Sequence, residues 1–169
     1  MAKALLVTTS DIKKYSVLNG NVDNDKFIQY VAIAQDIHLQ NYLGSDLLEK
    51  LQDLLPTDIH LLLNSEYKTL LNTYVKPMLI HWALVEMLPF MAYTVSNGGV
   101  YKHSAENSQG VDKNEIDFLV EKERNIAENY TKRFIDFMYY NNGDYPEYTS
   151  NTNEDIKPDK QSKFSGWVL

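Results

Sequence analysis

Cysteine is absent from this 169-residue sequence, and so is any excess of positive charge. The missing thiols exclude disulfide bonds and thiolate metal sites, and they suit a protein that works in a reducing compartment. With 16 basic residues against 23 acidic ones, the formal net charge is −7. Proteins that coat nucleic acid instead carry clustered Lys and Arg. The composition therefore argues against a general nucleic-acid-coating role.

Long hydrophobic runs are also lacking. The most apolar stretch, PMLIHWALVEMLPF over residues 77–90, is interrupted by His81 and Glu86 and bracketed by Pro77 and Pro89. It is shorter than the roughly 20 apolar residues that a membrane-spanning helix needs. The N-terminal segment has neither the long apolar core nor the small-residue cleavage site of a signal peptide. We expect no membrane anchor and no secretion signal.

Helical periodicity is the main pattern that the sequence does contain. The first predicted helix is short, with Ser10 as its N-cap and Asn19-Gly20 as its end. The second begins after a cap at Asp23 or Asn24 and stops at Gly44. Its predicted inward face repeats at helical spacing and consists of Phe27, Val31, Ala34 and Ile37.

A short third helix is predicted from Ser45 to Pro56, and a long fourth one starts near Ser65. The apolar stripe of the fourth helix widens to nearly all sides, which is typical of a helix at the centre of a bundle. Pro77 and Pro89 each lack an N–H and crowd the preceding turn. We therefore expect a bent or two-part helix. The stripe comprises Tyr67, Leu70, Leu71, Tyr74, Met78 and Trp82.

Two further elements follow. Asn97-Gly98, between YTVS and GVYKH, predicts a β-hairpin with a two-residue turn, the alternative being a helix end followed by a loop. The last helix starts at Asp112, which forms a capping-box pattern with Glu115, and Glu128 and Lys132 are spaced to pair within it. Its predicted apolar stripe comprises Ile116, Leu119, Glu123, Ile126, Tyr130, Phe134 and Phe137 or Met138.

Together these patterns predict a mainly α protein. The expected architecture is a small helical bundle over residues 1–140, with a long proline-interrupted central helix and an inserted loop or β-hairpin at about 92–111. Residues 141–169 are polar and aperiodic, and they are predicted to form an extended C-terminal arm. The bundle and the arm are the two parts into which we expect the chain to divide.

Catalytic chemistry finds little support in the sequence. His81 and Glu86 are buried candidates, but a five-residue step turns them about 140° apart on a helix, so they cannot face each other. A hydrogen-bonded core or interface role is expected for His81. Glu86 is expected to pair with a Lys or Arg or to reach solvent. No metal-ligand spacing, phosphate loop or nucleophile motif occurs, so we expect no enzyme, no metal and no cofactor.

The C-terminal segment is rich in aromatic residues for a polar stretch. Large aromatic side chains dominate the energy of protein interfaces, which predicts a docking role for them. The alternative is a tail folded back on its own domain. The predicted partner-binding residues are Tyr139, Tyr140, Tyr145, Tyr148, Phe164, Trp167, Val168 and Leu169.

Three stretches resemble head–tail connector (adaptor or ring) proteins of tailed bacteriophages, closest to those of crAss-like and related Bacteroidetes phages. They are KFIQYVAIAQDIHLQNYLGSDLLEKL over residues 26–51, YVKPMLIHWALVEMLPFMAYTVSNGGV over residues 74–100, and the closing helix over 112–138. Their order and spacing carry the likeness, which extends over about residues 5–140. The tail does not align with the family.

The resemblance implies a structural virion protein of the neck, assembled in the host cytoplasm. Family members form a ring below the portal protein that extends the DNA channel and gives tail proteins a platform. A twelve-fold portal implies twelve neighbouring copies, and DNA passes without sequence-specific binding. The family implies no catalytic residues. We expect the tail to reach an adjacent copy or the portal.

We expect the loop to meet another ring component or the channel. The predicted loop contacts are Asn97, Gly98, Gly99, Tyr101, Lys102 and His103. Two alternatives remain open at this point: another neck or tail-completion protein, and a helical binding protein that works outside any particle.

Overall fold

The computed structural model describes residues 4–18, 24–55, 65–91, 93–96, 99–102, 112–152 and 155–163. The protein is a mainly α bundle, as the periodicity predicts. No helix within these ranges is long and apolar enough to cross a membrane. In chain order the elements are α1 (Thr9–Tyr15), α2 (Asn24–Ala34), α3 (Gln40–Leu43), α4 (Ser45–Leu54), α5 (Ser65–Thr69), α6 (Lys76–Met91), β1 (Tyr93–Ser96), β2 (Gly99–Lys102), α7 (Lys113–Asn141) and α8 (Pro146–Ser150).

Helix α6 is the centre of the bundle and packs against α1, α2 and α7. Its apolar residues lie on nearly all sides, as the widened stripe predicts, so they can be buried only if other elements surround the helix. Each fully buried aliphatic or aromatic side chain contributes roughly 1.5–3 kcal/mol of transfer free energy. The buried residues of α6 are Met78, Leu79, Ile80, Trp82, Ala83, Leu84, Val85 and Met87.

The predicted helix that prolines interrupt is present as α5 and α6, and the backbone hydrogen-bond pattern changes between them. A π-helical turn, Leu70–Val75, connects α5 to α6, and the Lys76 N–H donates to the Leu71 carbonyl. Pro77 lacks an N–H and needs room above the carbonyl four residues before it, which the wider turn provides. Pro89 lies inside α6, near its end at Met91.

A second π-helical turn, Gln35–Leu39, joins α2 to α3 and overturns one core prediction. Phe27, Val31 and Ala34 are buried as predicted, but Ile37 is 59% exposed. The turn holds more residues than an α-helical turn, so the inward face shifts past Ile37 to Leu39, which is fully buried.

The predicted N-cap of α1 is wrong, and the predicted N-cap of α7 is confirmed. Thr8, not Ser10, caps α1, because the Asp11 N–H donates to the Thr8 hydroxyl while Asp11 accepts from the Thr8 N–H. The predicted end of that helix, Asn19-Gly20, lies outside the described residues, and α1 ends earlier, at Tyr15. The capping box of Asp112 and Glu115 at the start of α7 is confirmed.

Other predicted positions change as well. Asn24 is the first residue of α2 rather than a cap before it, and Asp23 and Pro56 lie outside the described residues. On α7, Leu119 is 46% exposed instead of buried. Lys132 pairs with Asp136 rather than with Glu128 as predicted; both partners are four residues away on the helix surface.

The segment after α6 is a hairpin rather than a loop. Strands β1 and β2 are antiparallel, with Tyr93 opposite Lys102 and Ser96 opposite Gly99. This register leaves a two-residue connection, Asn97-Gly98, which itself lies outside the described residues. The turn chemistry of Asn-Gly favours this arrangement, since both residues accept positive φ at little cost.

The C-terminal segment is not a free arm over its described length. Helix α7 runs to Asn141, and beyond it Tyr145 and Tyr148 are only 2% and 3% exposed within the core of the same chain. Residues 155–163 then lie across the junction of α3 and α4. There the Ser45 N–H donates to the Ile156 carbonyl at 3.0 Å, and the Asp159 N–H donates to the Asn41 carbonyl at 2.8 Å. The folded-back alternative therefore describes this segment, and the predicted boundary at residue 140 is wrong.

Gly44 makes this closure possible. Its φ is +77°, and a Cβ on it would lie 2.7 Å from the Pro158 ring and 2.8 Å from the Asn151 side-chain oxygen. Only glycine combines this backbone conformation with so close an approach of the tail.

We expect Gly44→Ala to lower the free energy of unfolding by about 2 kcal/mol or more, because it adds backbone strain and displaces the tail. Gly143→Ala is the matched control, since nothing lies within 4 Å of its added Cβ. Urea unfolding followed by circular dichroism measures both changes. Equal stability of the two variants would contradict the role assigned to Gly44.

Candidate functional site

A cleft with a volume of about 360 Å³ opens between α1, the π-helical turn Leu70–Val75, α6 and α7. Its wall combines aromatic rings with charged and amide groups, as small-molecule and side-chain sites often do. The polar and aromatic residues that line it are Asp11, Tyr15, Asn72, Lys76, His81 and Tyr130.

His81 is held in this wall by two contacts. Its Nδ1 lies 2.8 Å from the Glu123 Oε2 of α7, and its ring stacks on Tyr130 with centroids 5.2 Å apart. Both side chains of the pair are largely buried, at 15% and 11% exposed. A carboxylate partner orients an imidazole, so only Nε2 remains for a group in the cleft. The predicted hydrogen-bonded role of His81 is confirmed.

Glu86 belongs to a separate pair. Its Oε1 lies 2.8 Å from the His38 Nε2 of the π-helical turn after α2, so its partner is a histidine and not the predicted Lys or Arg. The His38 ring stacks on Trp82 with centroids 3.9 Å apart. The Trp82 indole N–H donates to the Thr131 hydroxyl at 3.0 Å. These contacts tie α6 to its two neighbours, and His81 and Glu86 do not face each other, as expected.

Charge in the cleft is balanced locally. The Lys76 ammonium lies 3.4 Å from the Asp11 carboxylate. Burial raises the pKa of Asp11, but the hydrogen bonds from Thr8 and the charge of Lys76 outweigh it and leave the pKa below its usual value. Neither serine nor threonine lines the described part of the wall. Within the described ranges, no three His, Asp or Glu residues are grouped to hold a metal ion.

Exposed apolar side chains gather at the end of the bundle that carries the hairpin. We call Phe90, Met91, Tyr93, Phe118 and Leu119 the hairpin-end surface; they are 45–61% exposed. Helices α6 and α7 are antiparallel, with Tyr74 stacked on Phe137 and Trp82 bonded to Thr131, so the last turns of α6 and the first turns of α7 lie at the same end of the bundle. Five large side chains, each about half exposed, present roughly 500 Å² of apolar surface.

A second apolar surface lies at the opposite end of α7. Tyr139 and Tyr140 are 75% and 82% exposed, and their rings make an edge-to-face contact. We call this pair the tyrosine-end surface. At a rise of 1.5 Å per residue, it lies about 32 Å from Phe118 and Leu119 along the same helix.

The predicted site residues divide accordingly. Tyr139 and Tyr140 are available to a partner, whereas the docking role predicted for Tyr145 and Tyr148 is wrong, because both are buried in the chain's own core. Gly99, Tyr101 and Lys102 lie in β2. The others lie outside the described residues: Asn97, Gly98, His103, Phe164, Trp167, Val168 and Leu169.

Sequence reasoning missed Phe90, Met91 and Phe118 as surface candidates. A signal for Phe118 was present, since it is a large apolar residue beside the predicted inward stripe of its helix rather than on it. Phe90 and Met91 had no such signal, because they continue an apolar run whose other members are buried.

The fold and these surfaces define a helical-bundle protein that offers two separate apolar surfaces and a polar, aromatic cleft. More particularly, the chain belongs to the family described as "Family of unknown function (DUF6712)", whose model matches residues 39–157. No curated protein matches the sequence. No solved structure matches it either.

The buried tail tyrosines predict a loss of stability at high pH. Burial, and then the negative charge of Asp159, raises the pKa of Tyr148 to about 12. The pKa in the unfolded chain is about 10. Because the folded value is the higher one, the contribution is fully present below pH ~10 and disappears as pH rises through about 12.

We expect Tyr148→Phe to flatten the fall in unfolding free energy over this pH range by about 2 kcal/mol. Tyr139→Phe is the control, since it removes the hydroxyl of an exposed tyrosine. Urea unfolding at a series of alkaline pH values measures both. Profiles that stay parallel for wild type and Tyr148→Phe would contradict the assignment.

Proposed function

We propose that this protein is a head–tail connector of a tailed bacteriophage, whose copies form a ring below the portal, extend the DNA channel and join capsid to tail. The observation that carries the proposal is the presence of two exposed apolar surfaces near opposite ends of α7, about 32 Å apart along that helix. Each copy in a ring that also contacts a second component needs several distinct surfaces, because head-to-tail contacts between copies use two different patches.

The sizes of the surfaces support an assembly role. The largest contiguous apolar patch on a typical monomer measures about 300–600 Å² and is often functional. The hairpin-end surface, at roughly 500 Å², is in that range and lies on α6, β1 and α7. Standard protein interfaces bury about 800 Å² on each partner. The apolar surface would therefore form the core of such an interface and polar neighbours its rim.

The charge of the chain suits passage of DNA. A net charge of −7 gives little affinity for phosphate, so DNA would pass such a ring without being retained. The resemblance to head–tail connectors implies a portal partner, tail-protein partners, a copy number of twelve and a location in the virion, and these are part of the proposal. The outermost aromatic residues, Phe164 and Trp167, remain proposed contacts to a neighbouring copy or to the portal.

Another neck or tail-completion protein would use the same surfaces, and its position in the particle would distinguish it from an adaptor. A helical binding protein outside the virion is the second candidate, and the cleft around His81 favours it. Such a protein would place its ligand against Tyr15 and Tyr130 and would be missing from purified particles.

The connector role predicts that the full chain, tagged and incubated with lysate of cells in which the phage assembles, retains portal and tail proteins. Tyr139→Ser/Tyr140→Ser should reduce their recovery at least about tenfold, since large aromatic residues dominate interface energy. Tyr15→Ser is the matched control, because Tyr15 is also exposed but lies on α1 beside the cleft. Mass spectrometry of the eluates gives the comparison.

A truncation after Lys163 tests the outer tail in the same assay, because it retains Tyr145, Tyr148 and the contacts of Ile156 and Asp159 with α3 and α4. Removal of residues 141–169 would destroy the core instead. Recovery of only unrelated soluble proteins, together with absence of the chain from purified virions, would reject the connector role.

A further inference from the structure

Each strand of the hairpin has one edge that pairs with no other strand in the described part of the chain. Its sheet consists of β1 and β2 alone within the described ranges. A two-stranded hairpin is only marginally stable in water unless it packs against another element or gains a strand. Exposed strand edges of this kind are ready templates for pairing with another chain.

The register identifies which groups point outward. In a hairpin with a two-residue connection, the pair next to the turn, here Ser96 and Gly99, is a hydrogen-bonded pair. Bonded and non-bonded pairs alternate along an antiparallel ladder, so the next pair, Val95 and Val100, is non-bonded. Their N–H and C=O groups therefore face away from the partner strand. One edge is open on β1 and a different edge is open on β2.

We propose that the hairpins of neighbouring copies pair edge to edge, the β2 edge of one copy with the β1 edge of the next, into a continuous antiparallel sheet around the ring. This inference rests on the proposed function and names its copy-to-copy contact. Rotation about a ring axis keeps β1 and β2 antiparallel from one copy to the next, so the same ladder continues without a reversal. The contact uses two different edges, which makes it head to tail and able to close.

The surroundings of the hairpin identify a second copy as the occupant. Tyr93, at the base of β1, is 45% exposed and adjoins Phe90 and Met91 at the end of α6. Phe118 and Leu119, on α7, lie at the same end of the bundle. A neighbouring hairpin would bring the same apolar residues of its own copy against this surface. Backbone pairing would fix the relative orientation of neighbouring copies, and burial of the roughly 500 Å² of apolar surface would contribute most of the binding free energy.

The test removes an outward N–H while it keeps the hairpin. Val95→Pro deletes a donor at an edge position, where proline is tolerated, whereas Val95→Ala shortens the side chain but keeps the donor. Sedimentation of the purified full chain over a concentration series should show self-association. We expect Val95→Pro to weaken it at least about tenfold and Val95→Ala to leave it within about twofold. Circular dichroism checks that the helices are retained.

A crosslinking experiment keeps the proposal testable if Val95→Pro disturbs the fold. The chain has no cysteine, so Tyr93→Cys and Lys102→Cys can be placed in separate copies. In a sheet whose strands run along the ring axis, rotation leaves residue heights unchanged, and Tyr93 lies opposite Lys102 within one hairpin. A disulfide-linked dimer should therefore form in the mixture of the two variants, and neither variant alone should form it.

The edge-to-edge pairing would be overturned if Val95→Pro left self-association unchanged or if the chain stayed monomeric at every concentration. It would also be overturned if one cysteine variant alone formed dimers as readily as the mixture. Binding of an extended peptide from another neck protein at the same edge would overturn the choice of a second copy. A monomeric chain that still enters virions would reject the hairpin contact and leave the connector role intact. If the crosslink forms but the chain is absent from virions, the hairpin contact stands and the connector role is rejected.

Discussion

The burial of α6 on nearly all sides is the constraint on which the rest of the structure depends. A helix with so many apolar residues has to be enclosed, and α1, α2 and α7 enclose it. Enclosure creates a second requirement, since the polar groups that α6 brings inside must find partners. Trp82 donates to Thr131, and His81 meets Glu123. The polar residues of the surrounding helices are therefore matched to those of the central one.

Closure of the bundle depends on the C-terminal segment. Tyr145 and Tyr148 fill the core beyond the end of α7, and the Tyr145 hydroxyl donates to the Glu66 carbonyl. The following residues cross the α3–α4 junction, where Ser45 exchanges backbone and side-chain hydrogen bonds with Ile156. These contacts make the tail part of the domain. Any docking role is confined to exposed side chains and to residues beyond 163.

The proposed function depends on apolar side chains that the helical bundle leaves exposed. Helix α7 exposes apolar residues near both of its ends, Phe118 and Leu119 near the start and Tyr139 and Tyr140 at the finish. The cleft beside His81 has a different character, because its charges are paired and its aromatic rings are stacked. A connector uses large contact surfaces rather than a reactive centre, and the chain offers such surfaces at opposite ends.

The sequence by itself determined the helical class, the central helix and the Asp112 capping box, because periodicity and caps are local properties. It left a hairpin and a loop open after α6, and the strand pairing decided for the hairpin. Tertiary structure alone decided that Ile37 faces outward. The π-helical turn Gln35–Leu39 changes which residues face the core, and the apolar pattern of the sequence does not show where such a turn occurs. Tertiary structure also decided that Tyr145 and Tyr148 are core residues. Composition shows that a tail is aromatic, but only long-range contacts decide whether its rings pack inside the chain or remain outside.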